Sequence, residues 1–359
     1  MRVLALLTDG YGAHGGIAQF NRDWMEAISA MPELQSLQAL VRHGKQFDQA
    51  VLKQHVHPSR LGFVFAAFRA AIKLRPNLIF CGHLNLAPLS ALLAWLIGAR
   101  LILQTHGIDA WSRPSALKRL ATQRCTMVQS VSRFTRREVL RWSGLDPERV
   151  RVLPNTVRSA VSVEQSDLAT ARARLNLSAT TRLLITVSRM DSRERYKGHE
   201  SVLRACAELP PTLDWHYAVA GSGDDCAHLQ QLSTQLALGN RVQFLGQISD
   251  SERNVLLHLA DVLVMPSSAE GFGIVYLEAL LAGTPVIGSP FGGAPDPISA
   301  SRYALAPSSD ALSATLLKCL SSPKPELEAV RAGVAERFGP HIFARNSSAL
   351  LRYALISND

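Results

Sequence analysis

The sequence is short of the features that mark several protein classes. Its 359 residues include five cysteines, Cys81, Cys125, Cys206, Cys226 and Cys319, and none forms a C-x-x-C pair. Such scatter argues against a disulfide framework or a zinc site and suits thiols kept reduced. A membrane span needs roughly 20 apolar residues, and the most apolar internal stretch, Leu84 to Ile97, stops short of that at Gly98 and Arg100. The opening MRVLALLTDG is apolar but brief and lacks the small-residue site of a cleaved signal, so it reads as a first buried strand. Low-complexity tracts and blocks of like charge are missing, which excludes extended disorder. A D-x-D triplet is missing too. Enzymes that hold a divalent ion against a diphosphate commonly need such paired carboxylates, so no metal requirement is expected.

What is present is an ordered globular composition, 47% hydrophobic and 19% charged, long enough for two cores. The net charge of +9 is unevenly placed. Residues 1–160 hold 21 Lys and Arg against 9 Asp and Glu; residues 161–359 hold 17 against 20. A basic half attracts nucleic acid, anionic lipid or a phosphorylated substrate, although charges this dispersed serve solubility equally well.

Short apolar runs alternate with longer helical stretches, the pattern of parallel α/β architecture. Strands are expected at Val3–Thr8, Leu37–Arg42, Leu78–Cys81, Arg100–Thr105, Met127–Val131 and Val150–Leu153, with helices at Ile17–Ala30, Phe63–Leu74, Pro88–Ile97 and Arg133–Ser143 between them. Pro154-Asn155-Thr156 interrupts the alternation, which restarts with strands at Arg182–Ser188, His216–Ala220, Val242–Phe244, Val262–Met265 and Pro285–Gly288. A last helix is expected over Ile342–Ile356. Two doubly wound sheets with a cleft between them are the simplest account.

Four segments carry candidate chemistry. Gly10-Tyr11-Gly12-Ala13-His14-Gly15-Gly16 follows a strand and opens a helix, where free N–H groups and the helix dipole suit a diphosphate. It matches G-x-G-x-x-G, yet the next strand ends in Arg42-His43 rather than the acid of an NAD site. A tight turn without a ligand is the plainer alternative. Thr105-His106-Gly107-Ile108-Asp109 closes a strand at the end where open α/β sheets bind ligands. Arg189 at a strand end and Lys197 before a helix offer a planar fork and a point charge for a departing diphosphate. The nearby Arg193 and Arg195 are expected to face solvent, and Gly221-Ser222-Gly223-Asp224 reads as a structural turn. Finally, Pro266 to Gly273 leads into a helix with Glu270 in the loop and Glu278 eight positions later. There the flanking glycines expose N–H groups, Glu270 can reach sugar hydroxyls and Glu278 can accept two ribose hydroxyls.

In their order along nearly the whole chain, these segments resemble the family 4 glycosyltransferases of the GT-B fold. The likeness adds Val131-Ser132, Pro154-Asn155, Gly283-Thr284-Pro285-Val286 and Gly292-Gly293 to the segments above. It implies two Rossmann-like domains facing a central cleft: residues 1–160 for the acceptor, 161–341 for the nucleotide sugar, and a C-terminal helix, about 342–359, crossing back to the first. It implies transfer of a hexose, with retention of anomeric configuration, from a nucleotide diphosphate sugar of the GDP-mannose or UDP-glucose type. Gly16 would meet the donor phosphate; Arg189 and Lys197 the diphosphate; Glu270 the sugar, with backbone contacts from Phe272, Gly273 and Ile274; Glu278 the ribose; and His106 the region of the anomeric carbon. The implied acceptor is a glycan or a polyprenyl-lipid-linked sugar in polysaccharide assembly on the cytoplasmic face of the membrane, with no cofactor and no nucleic-acid partner. Two departures stand out. The acid after the last Gly-Gly is Asp296 between Pro295 and Pro297, where the family usually has glutamate, and the interval from Arg189 to Lys197 is longer than the commonest pattern.

Other readings remain open at this level. The Gly10–Gly16 loop alone would suit an NAD(P)-dependent oxidoreductase, and the fold would suit an epimerase, a phosphorylase or a non-catalytic scaffold. The stretch Arg60–Arg75, where Phe63, Phe65, Phe68 and Ile72 alternate with Arg69 and Lys73, reads either as a helix packed on its own sheet or as a surface for anionic lipid.

Overall fold

The computed structural model describes residues 1–158, 162–308 and 311–356. The expected boundary at residues 160 and 161 and the end of the expected final segment, 357–359, lie outside this set. The chain divides into two compact units, residues 1–156 with the segment from Pro340 onward, and Val157–Gly339.

The strands of the first unit are β1 (Arg2–Asp9), β2 (Ser36–His43), β3 (Phe47–Asp48), β4 (Leu52–Val56), β5 (Leu78–Cys81), β6 (Arg100–Thr105), β7 (Met127–Ser130) and β8 (Val150–Val152). They form one sheet in the order β3-β4-β2-β1-β5-β6-β7-β8. It is parallel except at the β3–β4 edge. Val3 to Leu7 in β1 are all fully buried, the unbroken apolar run of a central strand covered by helices on both faces. On one face Trp24 of helix Gly16–Ser29 stacks on Phe80 with ring centroids 3.7 Å apart.

Helix Arg60–Leu74 begins three residues before its apolar periodicity suggests, because the Ser59 side chain accepts the Gly62 N–H as an N-cap. Helices Ala87–Ile97 and Arg133–Ser143 both end on glycines in the left-handed region, Gly98 and Gly144. The closing helix Pro340–Ile356 packs on helix Gly16–Ser29, with Phe343 edge-on to Phe20 at 5.6 Å and Arg352 paired with Glu33.

In the second unit β9 (Arg182–Val187), β10 (Trp215–Ala220), β11 (Val242–Gly246), β12 (Val262–Val264), β13 (Val286–Ile287) and β14 (Ala304–Leu305) form a fully parallel sheet, ordered β11-β10-β9-β12-β13-β14. Every residue of β10 is buried, and its Tyr217 hydroxyl meets Thr186 Oγ1 at 2.7 Å inside the core. Helix Asp250–Leu259 starts from a capping box made by Ser249 and Glu252.

Three strands lie outside the sequence expectation: β3, β4 and β14. The hidden position of β4 after Leu52 is Gln54, 1% exposed, so no apolar alternation marks the strand. The two residues of β14 pair only with β13 at the edge, too short a run for a period to show. Among the described residues no helix is long and apolar enough to cross a membrane.

Candidate functional site

Parallel sheets gather their loops at the C-terminal ends of the strands, and the chemistry-bearing residues sit there in both units. In the first, the glycine-rich loop leaves the end of β1 and is anchored from the sheet's edge. The Gln54 amide donates to Tyr11 O at 3.1 Å and Lys45 O at 2.6 Å, and its Oε1 accepts the Tyr11 N–H at 3.0 Å. A Cβ at Gly10 would stand 2.1 Å from Gln54 Oε1, and one at Gly12, where φ is +81°, would stand 2.6 Å from Lys45 Cγ. The first half of the loop is therefore consumed by packing. Its second half is open: a Cβ at Gly15 would meet nothing within 4 Å, and Gly15 and Gly16 are exposed at the start of helix Gly16–Ser29. That helix has neither a side-chain cap nor an acidic residue in its first turn, so its leading N–H groups keep their affinity for an anion.

His106, at the end of β6, sits beside this helix with Phe20 edge-on at 5.3 Å and its Nε2 2.9 Å from Gly82 O. Burial lowers its pKa to about 4, against the smaller opposing effect of the Gly82 carbonyl. The imidazole is thus neutral at neutral pH. Asp109 Oδ1 accepts the His106 N–H at 3.1 Å, and burial raises the Asp109 carboxyl to about 6. Its Oδ2 is buried with no hydrogen-bond partner among the described residues.

The second unit arranges its charges in pairs. Lys197 Nζ lies 2.7 Å from Glu270 Oε2, each side chain only 15% exposed. Two further contacts brace this pair: the Ser268 N–H donates to Tyr196 O at 2.9 Å, and Gly198, at φ +85°, lies against Pro266. Gly293 N–H donates to Glu270 O at 2.7 Å, tying in the later Gly-Gly loop. Gly273 precedes helix Ile274–Leu281 at φ +90°, and a Cβ there would strike the Tyr276 ring at 2.4 Å. The buried Phe272 ring meets Phe338 at 5.6 Å, which leaves only its backbone for a ligand. Glu278 pairs with Arg253 at 3.2 Å; burial nevertheless raises the Glu278 carboxyl, against the attraction of Arg253.

Arg189 is separate from Lys197 in its contacts. It bonds Glu194 at 2.5 Å and its side chain is 72% exposed. Arg193 is exposed as expected and bonds Asp191, whereas Arg195 is half-exposed and bonds Asp225 at 2.7 Å. The Gly221–Gly223 turn is built for packing, since a Cβ at Gly221 would stand 1.9 Å from Ser188 O and one at Gly223 2.0 Å from Met190 O. Asp296 is buried in the short helix Pro295–Ile298.

Sequence reasoning missed Gln54, Glu194 and Arg253. Nothing local marks Gln54 and Arg253, because each acts on a partner brought in by the fold, Arg253 on the next helix and Gln54 on a loop 43 positions back, whereas Glu194 pairs with Arg189 five positions away. Among the described residues no group of three or more His, Cys, Asp or Glu side chains is placed to hold a metal ion.

Comparison with known proteins agrees with this organisation. The model of Glyco_transf_4, Glycosyltransferase Family 4, matches residues 32–160, and that of Glycosyl transferases group 1 matches residues 168–334. An uncharacterised glycosyltransferase of Methanocaldococcus jannaschii is 32% identical over 184 residues, 50% of this chain and 46% of that protein. The D-inositol 3-phosphate glycosyltransferase of Mycobacterium tuberculosis is 35% identical over 164 residues, 44% of this chain and 33% of that one. The chain thus spans less than half the length of these curated relatives. Among solved structures, Anabaena HepE in complex with UDP-glucose superposes with a TM-score of 0.79 at 21% identity, covering 98% of this chain and 99% of that one. The sucrose-phosphate synthase of Thermosynechococcus elongatus gives 0.78 at 22%, covering 98% of both chains. With two successive family models spanning most of its length and two Rossmann-like sheets of the GT-B fold, the chain belongs to the family 4 glycosyltransferases.

Proposed function

We propose that this chain transfers a hexose from a nucleoside diphosphate sugar to a hydroxyl of a glycan or lipid-linked acceptor, with retention at the anomeric carbon and without a metal ion or other cofactor. The observation that carries the reading is the Lys197–Glu270 pair, 2.7 Å apart and mostly buried, beside a glycine-started helix. A desolvated ion pair contributes little to net stability compared with apolar packing, so its presence at a strand-end loop favours a ligand-handling role. The C1–O bond to the diphosphate breaks, the nucleoside diphosphate leaves with the electron pair, and the acceptor oxygen bonds C1 as its proton passes to an oxygen of the departing diphosphate.

Lys197, Arg189 and the N–H groups of Gly273 and Ile274 take up the charge that develops on the diphosphate. Glu270 accepts sugar hydroxyls, and Glu278 accepts the ribose hydroxyls. Gly16 meets a phosphate through its backbone. His106, neutral at neutral pH, offers a hydrogen bond near the reacting carbon. Names among the relatives and neighbours are consistent with a nucleotide-sugar donor, HepE being in complex with UDP-glucose. The test is calorimetric titration with UDP, GDP and NADPH, followed by turnover of UDP-glucose and GDP-mannose with and without chelator. Binding of NADPH alone, or activity restored only by magnesium or manganese, would overturn the proposal.

The same reading extends to the acceptor's location. Helix Arg60–Leu74 leaves Leu61 84%, Phe65 71% and Ile72 68% exposed, with Arg60, Arg69 and Lys73 on the same helix, and Trp95 on helix Ala87–Ile97 is 73% exposed. Exposed aromatic and aliphatic side chains among cations suit an anionic membrane surface, and we propose peripheral attachment to the cytoplasmic face of the plasma membrane. Vesicles of phosphatidylglycerol should sediment the protein at low salt, and Phe65→Asp should abolish that. Binding that is absent, or unchanged in the variant, would end the idea.

A further inference from the structure

The first unit also holds a concave site of 410 Å³ lined by Trp111, Arg113, Glu138, Arg141 and Trp142. Its residues come from the segment after β6 and from helix Arg133–Ser143, and none belongs to the donor-handling set above. Two features suggest what could occupy it.

The first is the state of the indoles. Trp142 Nε1 donates to Ala110 O at 2.8 Å, and Trp111 Nε1 donates to Thr135 Oγ1 at 3.1 Å. The Trp111 ring is further held edge-on by Phe134 at 4.9 Å. Both polar handles are thus satisfied within the protein; Trp142 is packed into the core at 9% exposure, and the half-buried Trp111 ring offers a ligand apolar, π-rich surface in a fixed orientation. Such surface matches the C–H face of a pyranose, and fixing it in advance lowers the entropy lost on binding.

The second is the charge. Glu138, with its side chain only 10% exposed, receives Arg141 Nη1 on both carboxylate oxygens at 2.8 Å, and Arg137 approaches at 3.9 Å. That buried carboxylate fixes Arg141 and neutralises one guanidinium. Arg113 at the rim is exposed and has no hydrogen bond or ion pair among the described residues. An unpaired guanidinium is a bidentate fork for a carboxylate or phosphate.

We infer that this site binds a hexose bearing an anionic group, a phosphate or a carboxylate, with the sugar against the Trp111 ring and the anion on Arg113. Such a sugar would be a unit of the acceptor. That role rests on the proposed transfer activity; the binding itself does not.

Titration of the full chain with glucose 6-phosphate, glucuronate, glucose and inorganic phosphate tests it, each in the presence of saturating UDP or GDP. At least one acidic sugar should bind about tenfold or more tightly than both glucose and phosphate, a difference of about 1.4 kcal/mol. Which acidic sugar binds identifies the anion. Arg113→Ala should remove that advantage at an unchanged unfolding midpoint. Glucose or phosphate binding as well as the acidic sugars, no acidic-sugar binding, suppression by the nucleotide, or an unaltered Arg113→Ala variant would each overturn the assignment. Because donor-site occupancy is read separately from the nucleotide titration, failure here is distinguishable from failure of the transfer reading.

Discussion

Each unit places its candidate site residues at the C-terminal edge of its own parallel sheet, and the two ready them in opposite ways. The first builds its glycine-loop site from neutral groups. Gln54 pins the glycine loop through three amide hydrogen bonds, and His106 is held uncharged by burial. The second uses charges and pairs each in advance: Lys197 with Glu270, Arg253 with Glu278, Arg189 with Glu194. The difference teaches that net charge is a poor guide to where charge acts. The unit with the large excess of Lys and Arg builds its loop site from amides and an imidazole, while the mildly acidic unit concentrates ion pairs at its own. A buried charge is costly unless it is paired, so an anion-handling site that is partly desolvated arrives with its counterions already in place.

If the paired charges of the second unit are the working ones, removing one should lower the activity of the protein that remains folded, over and above the stability lost by stranding its buried partner. Glu270→Ala should lower transfer by at least about 10²-fold, the scale of losing one preorganised polar contact to a transition state, read as donor turnover under saturating donor. Near-normal turnover would break the comparison at its strongest point. Lys197→Ala should weaken nucleoside diphosphate binding by about 10- to 100-fold, as expected for a lost hydrogen bond from a charged donor, measured by calorimetry. Unchanged affinity would assign the pair to structure alone.

The neutral scaffold of the first unit should show the reverse bias. Gln54→Leu strands backbone groups of Tyr11 and Lys45 and should cost about 2 kcal/mol, lowering the unfolding midpoint by about 4–8 °C for a unit of this size. A midpoint within a degree of the parent would show that the loop holds itself.

The last effect, partly cancelled by an opposing carboxyl, is on acid stability. His199, buried against Ser188 with Nε2 3.0 Å from its Oγ, is lowered to about 4, mainly by burial and then by Lys197. A histidine whose folded pKa lies below its unfolded value contributes stability that is present above about 6.5 and lost as pH falls towards 4, since the unfolded chain then binds the extra proton. His106 has the same sign, while Asp109, raised to about 6, opposes it over part of the window. Thermal unfolding followed between pH 7 and 4.5 should therefore show a falling midpoint, with a slope of up to about 1.4 kcal/mol per pH unit from His199. His199→Gln should flatten it; an equally steep variant would remove the histidine from the account.

Much of the fold was legible because central parallel strands are covered on both faces and so read as unbroken apolar runs. Leu78–Cys81 and Arg100–Thr105 match their expected bounds, and β1 and β9 differ by one residue or less at each end. The edge strand β4 escaped because its hidden Gln54 is polar, and β14 because two residues carry no period. Among the candidate residues, glycine spacing marked the two helix starts at Gly16 and Ile274, since a glycine leaves a distinctive local requirement. The turn at Gly221 and Gly223 is structural, as its sequence suggested, but the sequence did not reveal that Gly10 and Gly12 serve packing while Gly15 stands open; that distinction depends on neighbours far along the chain.

By itself, then, the amino-acid order determined the α/β alternation, the loops at strand ends and the residue types available there, because periodicity, caps and turns are set by near neighbours. Only the tertiary structure decided which charges meet. Lys197 and Glu270 are 73 positions apart, and Arg253 and Glu278 are 25 apart. Ion pairing falls off over a few ångströms in space and is indifferent to separation in sequence, so those partners exist only once the strands have taken their places in the sheet.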